Sequence, residues 1–249
     1  MRIPDTNVIS QYTLVLRIRL SFVQSLSLKI KMLRILEPEL MTDVAQCQAY
    51  ATANFGASNQ RYVDIVGNLM PGIVSTVLDI GCGPGDVMIR LAKIRPELKI
   101  TAIDGSQKMI QLASAAISSN GLDANIHAVE GYVPMLALPV GSYDVVLSKD
   151  FLHHLPEPMA FWHEIRRMIK PGGFICVMDL RRPDSTIIAH QIVEAIAANE
   201  AEVLKVDFYN SLLAAFTPEE IREQLKAADF DLSVTNCGDR HVLMQGFAA

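Results

Sequence analysis

The stretch VLDIGCGPGD, residues 77–86, places three glycines directly between an apolar strand pattern and the start of a helical pattern. Glycine lets the backbone bend sharply and leaves room for a ligand to lie against it. The start of the following helix offers backbone N–H groups that have no partner within the helix. A ligand-binding turn is therefore predicted between this strand and this helix.

The spacing of these glycines distinguishes the turn from a dinucleotide-binding turn. A pyrophosphate site on a helix N-terminus uses the pattern G-x-G-x-x-G, whereas Gly81, Gly83 and Gly85 form G-x-G-x-G. Asp79 and Asp86 flank the turn, and two carboxylates at this place would repel a pyrophosphate. They suit a ligand that carries positive charge.

A further acid stands at the end of the next predicted strand. Asp104 follows Gly85 by 19 residues. A carboxylate at this place can accept two hydrogen bonds from the vicinal hydroxyls of a ribose. Together with the acidic turn, this position favours an adenosine ligand that carries a cationic group.

From residue 42 onward, strand patterns alternate with helix patterns. Such alternation predicts βαβ units and a parallel sheet that is covered on both faces. We therefore predict an α/β fold: a Rossmann-like, doubly wound, seven-stranded, mostly parallel sheet with an antiparallel C-terminal hairpin and a helical cap. The predicted strands cover residues 76–80, 99–103, 124–129, 143–148, 173–179, 231–236 and 242–247, and the predicted helices cover residues 42–54, 59–69, 86–94, 107–120, 158–169 and 188–206.

Composition excludes several classes of protein. Of the 249 residues, 50% are hydrophobic and 20% are charged, which supplies a core and excludes an intrinsically disordered chain. No apolar run reaches the roughly 18 residues needed to span a bilayer. The formal net charge of −5 argues against a nucleic-acid partner. Four widely spaced cysteines without a CxxC pair suggest neither a zinc knuckle nor a disulfide framework, so a cytoplasmic location and no metal site are expected.

The predicted domain division separates an N-terminal extension, residues 1–41, from one domain, residues 42–249. Residues 1–35 contain six Lys and Arg against one Asp, a net charge of +5. Three interpretations of this segment stay open: an extension of the protein, translated sequence upstream of a start at Met32, and a targeting peptide. Within the domain, helices over residues 42–70 and an insert over residues 181–216 are predicted to cover the site.

Four motifs, in order along the chain, resemble those of class I S-adenosylmethionine-dependent methyltransferases. They are VLDIGCGPGD, the acid in TAIDGS, YDVVLSKDFLHHL and IKPGGFICVMD, and the resemblance covers roughly residues 45–249. It implies the cofactor S-adenosylmethionine, whose ribose Asp104 would hold. By the same resemblance, the methionine end is lined by Asp79, Gly81, Cys82, Gly83 and Gly85, the adenine is flanked by Gly105 and Met109, and its amino group lies near Glu130, Gly131 and Tyr132. Tyr132 stands where relatives usually have Asp.

Polar residues after the fourth predicted strand are candidates for contact with the methyl acceptor. His153 and His154 lie at the C-terminal edge of the sheet, where open α/β sheets bind their ligands. They are the candidate catalytic residues, and a general base and a structural signature are both open roles for them. Ser148 is expected at the cofactor or in a turn or helix cap. The candidates for substrate binding are Tyr50, Lys149, Asp150 and Tyr209.

The predicted function is transfer of the methyl group of S-adenosylmethionine to a small-molecule acceptor, which leaves S-adenosylhomocysteine. The sulfonium already activates the methyl group, so positioning matters more than acid–base chemistry. The acidic charge and the size of the insert favour a small acceptor, no membrane partner is expected, and the sequence is compatible with a homodimer. An RNA or protein methyltransferase and a non-catalytic cofactor-binding module remain as alternatives.

Overall fold

The computed structural model describes residues 32–37, 50, 53 and 55–249. The chain divides into two units, residues 1–32 and residues 33–249, and all the elements named below belong to the second unit. The predicted helix over residues 42–54 falls almost wholly outside the described residues.

Seven strands form one sheet, as the alternating pattern predicts. Their order across the sheet is β3-β2-β1-β4-β5-β7-β6. The first five strands run parallel to one another, and β7 is antiparallel to both β5 and β6. The predicted α/β class, the strand number and the antiparallel C-terminal hairpin are therefore confirmed. The strands are β1 Thr76–Ile80, β2 Lys99–Asp104, β3 Ile126–Glu130, β4 Tyr143–Lys149, β5 Ile169–Leu180, β6 Ser233–Cys237 and β7 His241–Phe247.

Helices flank the sheet, and several begin at side-chain caps that the sequence supplies. The Ser106 hydroxyl accepts a hydrogen bond from the backbone N–H of Met109 at the start of α3, and Thr217 and Glu220 form a reciprocal capping box at the start of α7. None of the described helices is both long and apolar enough to cross a membrane. The helices are α1 Gly56–Leu69, α2 Asp86–Ile94, α3 Gln107–Ser119, α4 Pro158–Met168, α5 Thr186–Ala197, α6 Glu202–Ala214 and α7 Pro218–Ala227, with a short 3-10 helix at Leu152–His154.

The core occupies both faces of the sheet. Successive strand residues point to opposite faces, so Val77 of β1 belongs to one hydrophobic cluster and Leu78 to the other. Trp162 and Phe161 of α4 fill one face and Tyr62 of α1 fills the other, and all three are fully buried. Because both faces are covered, a ligand is expected at the edge where the parallel strands end.

The insert contains two helices where one was predicted. The prediction of a single helix over residues 188–206 is wrong, because α5 ends at Ala197 and α6 begins at Glu202. Ala201, just before α6, has an extended backbone with φ −60° and ψ 146°. The helix is therefore interrupted without glycine or proline, the residues by which a break is usually recognised in a sequence.

Strand β5 begins four residues before its predicted start. Its partners along β4 shift from the pair Tyr143–Ile169 to the pair Val145–Phe174, so residues 170–173 are accommodated in a local irregularity. Gly172 has a φ of +71° there, and its N–H donates to the carbonyl oxygen of Ala248 at 3.0 Å. The strand therefore includes the Pro-Gly-Gly segment that lies at and before its predicted start.

Candidate active site

The glycine turn between β1 and α2 is fastened to the end of β2. Gly81, Gly83 and Gly85 all have positive φ values, 79°, 52° and 93°. The N–H of Gly83 donates to Oδ2 of Asp104 at 2.9 Å, and Oδ1 of the same carboxylate accepts from the N–H of Ser106 at 2.8 Å. A side chain at Gly81 would have no room, since its Cβ would lie 2.5 Å from the ring of Phe151. The turn thus exposes backbone to a ligand and is held by Asp104.

One buried and one half-buried carboxylate lie beside this turn. Asp79 is 3% exposed. Its burial, and next the charge of Asp104, raise its pKa to about 7, whereas Lys149 acts to lower that pKa. Burial also raises the pKa of Asp104, against its two backbone hydrogen bonds and the nearby His154. A site that disfavours its own negative charges in this way favours a cationic ligand. Asp104 keeps free acceptor capacity for ribose hydroxyls, because a carboxylate offers about four lone-pair sites.

The other residues predicted at the cofactor lie around this pair. Cys82 is 8% exposed with its thiol directed at the carbonyl of Gly83, Met109 is 4% exposed in the first turn of α3, and Gly105 follows Asp104 directly. The N–H of Gly131 donates to the carbonyl oxygen of Asp104 at 3.1 Å. All of these positions border the end of β2.

Glu130 and Tyr132 point into solvent. The Tyr132 hydroxyl donates to Oε1 of Glu130 at 2.9 Å, and half of Tyr132 is exposed. The usual Asp is therefore replaced by an exposed tyrosine that hydrogen bonds to its neighbour.

Ser148 has a structural role in the sheet. The expectation of a turn or helix cap is wrong, because Ser148 lies within β4 and is fully buried. Its hydroxyl donates to the carbonyl oxygen of Ile80 at 2.7 Å. Tyr62 approaches the same strand, since its hydroxyl oxygen lies 3.1 Å from the carbonyl oxygen of Ser148 and 2.6 Å from that of Cys176. These bonds tie β4 to β1, to β5 and to α1 beneath the site.

Lys149 and Asp150, predicted to bind substrate, form an ion pair with each other. Asp150 has a φ of 53°, and its Oδ1 lies 3.2 Å from Nε2 of His241. Burial alone would raise the pKa of Asp150, but Lys149 and His241 outweigh it and hold the pKa well below its ordinary value. Asp150 is thus a charged acceptor held between two basic groups.

The imidazole of His153 lies between two carboxylates, an arrangement that the sequence did not predict. Its Nδ1 lies 2.5 Å from Oδ1 of Asp179, and its Nε2 lies 3.4 Å from Oε1 of Glu37. Burial alone would lower the pKa of His153, but Asp179 and Glu37 raise it above its ordinary value. Asp179 could have been found, because it ends β5 at the same edge where Asp79 and Asp104 stand. Glu37 carried no signal.

The neighbouring His154 has a different environment. Its side chain is 28% exposed, its Nδ1 lies 3.0 Å from Oε1 of Glu37, and its ring lies 4.1 Å from that of His153. His154 lies near Asp104, whose pKa it acts to lower. The structure therefore brings the histidine pair, Glu37 and Asp104 to one edge of the sheet.

The two tyrosines predicted to bind substrate lie in different places. Tyr50 lies over the glycine turn, where a Cβ on Gly83 would be 4.0 Å from its ring, and it packs on Phe55. Burial raises the pKa of Tyr50, as do the carboxylates of Asp150 and Asp104. Tyr209 stacks on His190 with ring centroids 4.2 Å apart, and this contact joins α6 to α5 within the insert.

The strand order, the glycine turn and the acid at the end of β2 are the arrangement expected of an S-adenosylmethionine-dependent methyltransferase. A family model described as a methyltransferase domain matches residues 74–229, and the chain belongs to that family.

Known relatives agree with this class. The chain is 36% identical over 112 residues to a ubiquinone biosynthesis O-methyltransferase of Caulobacter vibrioides, a match that covers 43% of this chain and 41% of the relative. It is 26% identical over 181 residues to a 27-O-demethylrifamycin SV methyltransferase of Amycolatopsis mediterranei, covering 69% of this chain and 65% of the relative. The match thus spans less than two thirds of either relative. The crystal structure of a SAM-dependent methyltransferase from Aquifex aeolicus shares the fold, with a TM-score of 0.63, 19% identity, and coverage of 84% of this chain and all of that one.

Proposed function

We propose that the protein transfers a methyl group from S-adenosylmethionine to a small-molecule acceptor, with a hydroxyl as the first acceptor group to test. The observation that carries the proposal is the glycine turn fastened to Asp104 beside the buried carboxylate of Asp79. Two relatives whose printed names describe O-methylation or a demethylated oxygen position support the acceptor class.

The cofactor fits the residues at this edge. When bound, S-adenosylmethionine supplies a methyl group that its positively charged sulfur activates. Asp104 is assigned to the ribose hydroxyls and Asp79 to the cationic methionine end. Met109 and Gly131 border the region assigned to the adenine. The glycines of the turn carry no Cβ that would stand in the way of the ligand, and their positive φ values favour glycine there.

The histidine pair is assigned to the acceptor side of the cleft. His154 is the more exposed member and stands near Asp104. His153 is only 2% exposed, so it acts as a positioning residue held by Asp179. Lys149 and Asp150 satisfy each other, which leaves the acceptor to contact them as a neutral pair.

Charge and thiol chemistry support the rest of the assignment. Residues 36–249 carry a net charge of −10, because the +5 of residues 1–35 must be removed from a total of −5. Such a body disfavours RNA as the acceptor. The four widely spaced cysteines, with no CxxC pair, favour a reducing, cytoplasmic compartment.

Calorimetric titration with S-adenosylhomocysteine tests the cofactor site. Asp104→Asn should weaken binding at least tenfold, since it removes a charged acceptor. Asp231→Asn, a change at an exposed acid, should bind like the wild type. Equal affinity for Asp104→Asn and the wild type would contradict the assignment.

Transfer itself is tested with S-adenosylmethionine labelled in the methyl group and a panel of phenols and hydroquinones. Labelled, extractable product is expected from at least one phenol or hydroquinone. Label that appears only in added tRNA or protein would instead favour a macromolecular acceptor.

A further inference from the structure

Three ligating side chains converge beside the cofactor region. Oε1 of Glu37 lies 3.4 Å from Nε2 of His153 and 3.0 Å from Nδ1 of His154. All three atoms lie within 4.8 Å of one another, the one such group found among the residues that the structure describes. Two imidazole nitrogens and one carboxylate oxygen therefore surround a common point.

Two atoms of this group are buried without a hydrogen bond. Within the part of the chain that the structure describes, Oε1 of Glu37 and Nδ1 of His154 have no hydrogen-bonding partner: they lie 3.0 Å apart, an ion-pair distance, but without the geometry of a hydrogen bond. The Glu37 side chain is 8% exposed. A buried carboxylate oxygen that lacks a partner costs free energy, so a cationic partner is expected between the two atoms.

The surrounding contacts hold each ligand in place. Asp179 binds Nδ1 of His153 at 2.5 Å, which directs Nε2 toward Glu37. Metal-bound histidines are commonly oriented by a carboxylate in this way. The second oxygen of Glu37 accepts from the Ser211 hydroxyl at 3.0 Å. The group is thus supported from β5 and from α6.

We propose that Glu37, His153 and His154 form a divalent metal site of the zinc type. Ligands about 2.0–2.1 Å from a tetrahedral ion lie about 3.3 Å from one another, and the two measured separations are 3.0 and 3.4 Å. Two histidines and one glutamate are a donor set of catalytic zinc sites, which keep a fourth position open. Cobalt, nickel and manganese suit the same nitrogen and oxygen donors.

A proton alone does not account for the geometry. A protonated His153 between Asp179 and Glu37 would satisfy those two carboxylates. It would leave Nδ1 of His154 at 3.0 Å from Oε1 of Glu37 without a hydrogen bond of good geometry, whereas a metal ion satisfies all three atoms together. A cavity of about 140 Å³ lies against Glu37 and is lined by Ile35, Leu36, Asn210 and Leu213.

The fourth position suits an oxygen atom of the acceptor. This assignment rests on the proposed function, because only a methyl acceptor with a hydroxyl would use it. Metal binding itself does not depend on methyl transfer, so the two are tested separately.

The test titrates Zn²⁺ and Co²⁺ into the full chain after chelator treatment. Calorimetry should give one Zn²⁺ per chain, and Co²⁺ should produce the visible absorption bands of a nitrogen- and oxygen-ligated ion. Glu37→Gln and His154→Gln should each weaken Zn²⁺ binding about 100-fold, and Asp179→Asn should weaken it by about 10–100-fold. His163→Gln, an exposed histidine on α4, should leave binding unchanged.

S-adenosylhomocysteine binding and thermal unfolding of each variant show that it is folded. Absence of Zn²⁺ binding by the wild type, or equal binding by the wild type, Glu37→Gln and His154→Gln, would overturn the proposal. Stoichiometric Zn²⁺ binding that those variants lose would uphold it even if S-adenosylhomocysteine did not bind. Absence of S-adenosylhomocysteine binding would contradict the proposed function alone.

Discussion

Replacing Asp79 with asparagine should stabilise the protein while weakening its hold on the cofactor. Asp79 is buried beside Asp104, and its pKa is raised from an ordinary value of 3.8 to about 7. A carboxyl group whose pKa is raised on folding binds its proton more tightly in the folded chain. Its contribution to stability is therefore lost as the pH rises from 3.8 to 7.

The magnitude follows from the shift. A difference of about three pKa units corresponds to about 4 kcal/mol at pH 8, at 1.36 kcal/mol per unit. Asparagine carries no charge at any pH. Asp79→Asn is therefore expected to raise the free energy of unfolding by about 4 kcal/mol at pH 8 and by about 2 kcal/mol at pH 5.5.

The assay is urea unfolding of the cofactor-free wild type and variant at both pH values, followed by thermal unfolding. At pH 8 the midpoint temperature should rise on the order of 10 °C. Affinity for S-adenosylhomocysteine should fall roughly 10- to 100-fold, because the substitution removes the charged acceptor that we assign to the ligand's ammonium group.

Asp144→Asn provides a control for which the opposite change in the free energy of unfolding is expected. Burial alone would raise the pKa of Asp144, but Lys170 and the N–H groups of Ser75 and Thr76 hold it below its ordinary value. This variant should be less stable than the wild type at pH 8. If Asp79→Asn is no more stable than the wild type at pH 8, or if its gain is the same at both pH values, the reasoning about buried charge is wrong.

Two further substitutions test the turn and the last helix. Gly81→Ala should destabilise the protein by about 1–3 kcal/mol and abolish S-adenosylhomocysteine binding, since φ is +79° and the new Cβ would lie 2.5 Å from the ring of Phe151. Urea unfolding measures the loss of stability and calorimetry measures the binding. Unchanged binding would count against the role of the turn. Thr217→Ala should cost about 1 kcal/mol by removing the capping box of α7 but leave S-adenosylhomocysteine affinity unchanged, and a loss of affinity would show that α7 supports the site.

The parts of the site that the sequence predicts are those fixed by local structure. The glycine turn is recognised from residues within a few positions of one another, and so is the acid at the end of a strand. Parallel strands then bring their C-terminal ends to one edge of the sheet. The positions of Gly83 and Asp104 follow from these two rules, and the hydrogen bond between them confirms that the turn and the acid meet. That the carboxylate binds a ribose stays a prediction.

The parts that the sequence does not predict depend on distant contacts. The partners of His153 are Asp179 and Glu37, which lie 26 residues after it and 116 residues before it. Residues 33–37 show neither helical nor strand periodicity, so nothing marks Glu37 as a ligand. Ser148 was misassigned for a related reason, because burial of its hydroxyl against Ile80 depends on how β4 pairs with β1.

Arg34 links the histidine turn to the end of the insert. Its guanidinium donates to the carbonyl oxygens of His153 and Leu155 at 2.8 Å and of Ala214 at 2.5 Å, and it lies 3.9 Å from the centre of the Phe216 ring. Leu155 closes the histidine turn, and Ala214 ends α6. A movement of α6 would therefore have to carry the histidine turn with it or break these bonds. Arg34 thus couples the end of the insert to the histidine turn, although nothing in the sequence marks it for this role.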